Sequence, residues 1–176
     1  AEILRKYNVE IDLSEMYLVR WAYAQKFEKY IRMQGTCNFS PGGEVFDVLY
    51  AINNDGMMTE DAYNGLVLGE NRHQHGELHN VLAEYGKIIN RKHNGKISNV
   101  WSNMVQSILD VYLGETPETF DFKGITYNAL SLSEKYPLNI DDYVQISAFT
   151  NHENYKPYIM PIQDNWTNTQ SYNMSL

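Results

Sequence analysis

Cysteine is almost absent from this chain: Cys37 is the single one among 176 residues. One thiol permits no disulfide within the chain and cannot build a multi-cysteine zinc site. That scarcity fits a reducing compartment, and it fits equally an exported chain without cystines or a cysteine whose partner lies outside this segment. Positive charge is scarce too, with 14 Lys and Arg against 22 Asp and Glu and a formal net charge of −8. Phosphate backbones and anionic lipid surfaces are bound through a surplus of cations, so no nucleic-acid partner is expected. No stretch approaches the roughly 20 consecutive apolar residues of a membrane helix, and the amino terminus has no basic patch followed by a hydrophobic signal core, so no membrane span is expected. Ala1 without a preceding Met points to processing or trimming, which leaves localisation open between cytoplasm and export and predicts a longer gene product. There is no repeat of solenoid period and no low-complexity linker.

What is present is enough for a core. Apolar residues make up 43% of the chain and aromatics 13%, in a length that suits one domain. The segment 1–7 reads as the last turns of a helix. Asp12-Leu13-Ser14-Glu15 matches a capping box, with the Asp12 carboxylate as cap, and opens a helix whose apolar positions run from Met16 to about Met33. Glycines and a proline make an irregular loop of Gln34–Gly43. Val45, Phe46, Val48, Leu49 and Ile52 then stand at helical spacing and are closed by Asn53-Asn54-Asp55-Gly56. Thr59-Glu60-Asp61 predicts one further turn, Gly76 to Ile89 a helix, and Ser98 to Leu113 a strongly amphipathic one ended by Gly114. Beyond Pro117, alternation around Lys123-Gly124 predicts a hairpin, and 144–149 and 158–160 read as strands, whereas the polar tail after Asp164 reads as loop. The expected class is α+β: mostly helical, helices first, short antiparallel strands late.

Few residues suggest chemistry. Cys37 follows Gln34-Gly35-Thr36, a spacing that suggests a catalytic thiol, but Asn38 and helix-breaking glycines follow it where a helix amino terminus would be needed to lower its pKa. It reads as a loop or buried cysteine. His73, His75 and His79 offer three imidazoles, the last two at zinc-ligand spacing on a helix. The acid of the H-E-x-x-H pattern is replaced by Gly76, so they read first as a polar loop leading into an exposed helix and only weakly as metal ligands. Asp141 and Asp142, and the acidic run from Glu115 to Asp121, read as solvated loop carboxylates. Asn38, Asn165 and Asn173 head glycosylation acceptor triplets, which a bacterial origin makes chance matches.

Order and spacing of short motifs carry one resemblance. Leu13-Ser14-Glu15 opening a helix, then Cys37-Asn38, then Gly42-Gly43 before a second helix, resemble the papain-like cysteine peptidases, with Phe39-Ser40-Pro41 inserted before the glycine pair. Tyr30-Ile31-Arg32-Met33-Gln34-Gly35, His75-Gly76-Glu77-Leu78, Asp142-Tyr143-Val144 and Asp164-Asn165-Trp166 resemble bacterial members of the bleomycin hydrolase and aminopeptidase C group within that superfamily. The resemblance implies that residues 1–64 are a remnant of the helical cleft-wall domain and 65–176 an insertion subdomain of helices then short strands. It implies that Gly42 and Gly43 border the cleft and contact the substrate backbone; a plain turn before the helix is the competing reading. The family's nucleophile, His and Asn would flank this segment, so the chain is expected to be an internal, non-catalytic part of an aminopeptidase, with no cofactor. Its partners would be peptide substrate and the remaining peptidase segments, or its own copies, because the severed first helix would expose an apolar face. The alternative is a binding or structural module that has kept the framework without catalysis.

Overall fold

The computed structural model describes residues 1–67, 69, 71–91, 96–162 and 164–175. Among these residues five helices lead, α1 (Glu2–Tyr7), α2 (Glu15–Arg32), α3 (Val45–Asp55), α4 (Gly76–Asn90) and α5 (Trp101–Leu113), and a sixth, α6 (Ala129–Lys135), follows a hairpin. The hairpin pairs β1 (Phe120–Phe122) with β2 (Ile125–Tyr127). A second sheet holds β3 (Gln145–Ser147), β4 (Pro157–Ile159) and β5 (Gln170–Asn173) in the order β3-β5-β4. The fold is α+β.

The long helix α2 is capped by Ser14, not by Asp12 as its capping-box pattern predicted. Ser14 is 1% exposed and its hydroxyl accepts the Tyr17 N–H at 3.0 Å. The preceding backbone is committed elsewhere: Leu13 bridges Thr59, the Asp12 carbonyl accepts the Glu60 N–H, and Ser14 N–H donates to Met58. Chain held extended at 12–13 cannot turn into a helix there, so the cap falls on the next hydroxyl. In α3 the box forms between Glu44 and Asp47, and Gly56 ends the helix at φ 88°. A side chain at Gly56 would overlap the Ala129 backbone, whose carbonyl takes the Met57 N–H. Thr59 accepts the N–H groups of Ala62 and Tyr63, the single turn expected there.

One hydrophobic cluster joins these helices. Phe27, Leu78, Leu82, Val105, Leu109 and Leu132 are each at most 2% exposed. Phe27 of α2 stacks on Tyr85 of α4 at 5.7 Å between ring centroids and lies 5.9 Å from Trp101 of α5. Arg20, 9% exposed, ties α2 to α5 by a 2.5 Å ion pair to Asp110 and a bond to the Gly114 carbonyl. The core therefore draws side chains from both sides of residue 64. The first helix is less bare than its position suggested: Ile3 is 5% exposed within the same cluster, and Tyr7 donates to the Pro137 carbonyl, leaving Leu4 outward.

Three late features depart from the sequence reading. The amphipathic pattern from Ser98 yields a helix that starts at Trp101. Helix α6 follows the hairpin, opened by Asn128, whose side chain accepts the Ser131 N–H. And the tail read as loop contains β5, the central strand of its sheet. It pairs antiparallel with β4 but parallel with β3, so the late strands are not all antiparallel. Its hidden residues are polar: Asn173 is 0% exposed, accepts the Phe149 N–H at 2.8 Å and donates to the carbonyls of Phe149 and His152. A strand fixed by amide bonds carries no apolar alternation to find.

Candidate functional site

A cavity of about 290 Å³ opens between one face of α2 and the Pro41–Glu44 loop. Leu18, Val19, Ala22 and Tyr23 form its apolar floor at helical spacing, Glu15 stands at one end of that face and Lys26 at the other. Gly42, Gly43, Asp47 and Val48 make the facing wall, and Trp166 closes it.

Buried charge sews this wall together. Lys26 is 5% exposed, and its ammonium donates to the carbonyl of Ser40 at 2.7 Å and to that of Gly42. Burial pushes the Lys26 pKa below its ordinary value, while the Asp47 and Asp164 carboxylates oppose that shift. Asp47, 7% exposed, accepts three donors: the Glu44 N–H at 2.8 Å, the Trp166 indole N–H at 2.7 Å and the Thr167 hydroxyl at 3.1 Å. Lys29 holds the Trp166 carbonyl, and Ser40 donates to Asp164 at 3.1 Å. The loop before α3 and the turn at 164–167 are thus one unit, bound to α2 through two lysines.

The glycine pair is explained by close approach rather than by a left-handed turn, since neither residue has a positive φ. A side chain at Gly42 would overlap the Asp164 carboxylate, and one at Gly43 would come within 2.8 Å of Asp47 Oδ2. Gly43 is exposed at the cavity rim, and among the described residues its N–H and C=O carry no hydrogen bond. Gly42→Ala is expected to lower stability by about 1–3 kcal/mol, because Asp164 must give up its place beside Ser40. Gly76→Ala, where the added methyl meets open space, is the control, and urea unfolding measures both.

The other candidates fall outside this cavity. Cys37 is half-buried and lines smaller hollows with Asn38, and it makes no hydrogen bond among the described residues. His73 bonds the Asn64 carbonyl at 2.7 Å. His75 stacks on Tyr23 at 6.3 Å and His79 on Phe39 at 5.4 Å, so these two rings pack against aromatics instead of standing on an exposed helix. Among the described residues no group of three or more His, Cys, Asp or Glu is arranged to hold a metal ion. Asp142 forms an exposed ion pair with Lys6 at 2.7 Å.

The two packed imidazoles give a pH dependence with a definite sign. Burial, with His73 beside one and Lys26 beside the other, holds both pKa values below the ordinary 6.5. The unfolded chain then binds more protons than the folded one just below that value. Stability contributed by the neutral rings is complete above pH 6.5 and is lost as pH falls through the depressed folded values. The melting temperature is expected to drop between pH 7 and 5, and His75→Gln with His79→Gln to flatten that drop; an unchanged slope would remove the assignment.

Nothing in the sequence singled out Lys26, Asp47 or Thr167 as parts of the site. Trp166 and Asp164 were visible only as parts of a motif. A charged residue on an otherwise apolar helix face was the one available signal for Lys26.

No family model and no curated protein matches this chain. Among solved structures, the crystal structure of PepW from Lactobacillus rhamnosis is similar, with a TM-score of 0.65 and 16% sequence identity. The match covers 99% of this chain and 48% of PepW, so the chain spans about half the length of that protein. At this identity the likeness is one of fold alone.

Proposed function

We propose that this chain supplies one wall of the substrate cleft, and an insertion, to a cysteine-type aminopeptidase whose nucleophile and base lie outside it. The observation that carries this reading is Gly43: an exposed residue at the rim of an apolar cavity, with its backbone donor and acceptor both unpaired. An extended peptide can add to such an edge by main-chain hydrogen bonds while a side chain enters the cavity. Gly42 and Gly43 are then substrate-backbone contacts, and the network of Lys26 and Asp47 sets their position. The fold likeness to PepW over nearly the whole chain supports a peptidase-derived framework. Residues 1–64 would provide the cleft wall and 65–176 the insertion, with the shared core keeping them in register. In the complete enzyme a thiolate attacks the peptide carbonyl, an imidazole takes and returns the proton, and water releases the acyl group. Cys37 plays no part in that chemistry.

The test is hydrolysis of an aminoacyl-coumarin substrate by the protein with its native flanking sequence. Activity that a thiol alkylator abolishes, that Cys37→Ser leaves intact and that the 176-residue chain lacks is the expected result. Hydrolysis by the chain itself that disappears in Cys37→Ser would overturn it. Peptide binding without hydrolysis in the protein with its flanks would replace it with the binding-module reading.

A further inference from the structure

One end of the cavity carries charge that the wall network does not use. Glu15 lines the cavity and is exposed, and among the described residues it makes neither an ion pair nor a side-chain hydrogen bond. Close to it lies Glu60, whose Oε2 is buried without a partner. Burial and then the carboxylates of Glu15, Asp12 and Asp61 all raise the Glu60 pKa, with His73 acting in the opposite sense. None of these four acids is paired with a Lys or Arg among the described residues. The opposite end is different: there Lys26 is already satisfied by two carbonyls and faced by Asp47 and Asp164. The groove therefore runs from Glu15, which has no cationic partner among the described residues and stands near Glu60, to the glycine pair, over an apolar floor.

Its length sets the size of an occupant. Glu15 and Lys26 stand about 16 Å apart along the axis of α2 at about 1.5 Å per residue. An extended chain covers that distance with about five residues at roughly 3.3 Å each. Resting on the reading of Gly43 as a peptide contact, we propose that the groove selects extended peptides in which a bulky apolar residue lies between the segment paired with Gly43 and a cationic group seated at Glu15. The cation neutralises repulsion that is already present, so selection comes from relief of like charge as well as from the new ion pair.

The experiment uses the 176-residue chain and blocked pentapeptides with a leucine core and Lys, Gln or Glu at either end, with tryptophan emission as readout, Trp166 being the one of the three tryptophans that lines the cavity. Lys peptides of one polarity are expected to bind about tenfold more tightly than their Glu counterparts at low salt, with the ratio shrinking as salt is added. Glu15→Gln is expected to reduce that ratio below about threefold. Saturable binding with no preference among Lys, Gln and Glu would overturn charge selection and leave the peptide-wall reading standing. A Lys preference that survives Glu15→Gln would place the cation elsewhere and overturn the assignment. No saturable binding by any peptide would overturn both.

Discussion

Asp47→Ala is expected to lower unfolding stability by about 3–5 kcal/mol, a large change for one residue outside the apolar core. The carboxylate is buried and serves three donors, so its removal orphans the Glu44 N–H, the Trp166 indole and the Thr167 hydroxyl together. It also withdraws one of the two carboxylates that face buried Lys26. The damage should appear first where the two loops meet: tryptophan emission shifts to the red as the indole loses its partner, before helical signal falls. Val48→Ala, at a 42% exposed position in the same wall, is expected to stay within about 0.5 kcal/mol. Urea titration followed by fluorescence and circular dichroism measures both variants. A loss under about 1 kcal/mol for Asp47→Ala would mean that the network does not hold the wall.

Phe27→Ala is expected to cost about 3–5 kcal/mol by lost burial and an unfilled cavity. Phe27 is 0% exposed, stacks on Tyr85, leans on Trp101 and meets Phe39 edge-on at 5.8 Å, so one ring joins α2, α4, α5 and the loop that leads to the glycine pair. These partners come from both sides of residue 64. The variant therefore also reports whether residues 1–64 and 65–176 are one cooperative unit. Fluorescence and circular dichroism should shift together to a lower urea midpoint. Two separated transitions would show that the segments unfold independently.

The four long helices were legible because apolar residues at helical spacing and residues that end helices speak locally: Met16 to Met33, Val45 to Ile52, the segment before Ile89, and Val100 to Tyr112. The hairpin at Lys123-Gly124 was legible for the same reason, both residues standing at positive φ. Polar and nonlocal features were not. β5 is fixed by the Asn173 side-chain amide, whose partners Phe149 and His152 lie well before it in the chain, so its sequence looks like loop. Ser14 displaced Asp12 as a cap because a distant segment, Met58 to Glu60, had claimed the backbone before it. At the site, the glycine pair was singled out by its order among motifs, but the reason for glycine was hidden. Gly42 is small because Asp164 needs the space, and Gly43 because Asp47 does. Lys26 left only a weak trace, since its partners are backbone carbonyls that every residue possesses. The three histidines stood out in sequence by composition, and it is packing on Tyr23 and Phe39 that engages two of them.

The most direct measurement of the central claim is the amide spectrum of isotope-labelled chain during titration with a blocked leucine-core pentapeptide. Saturable shifts of the Gly43 amide together with the Trp166 indole, with little change at His152 and Met174 in the separate hollow beside β5, are the result expected of a peptide-binding wall. Saturable shifts elsewhere with Gly43 unmoved, or no saturation at all, would contradict it.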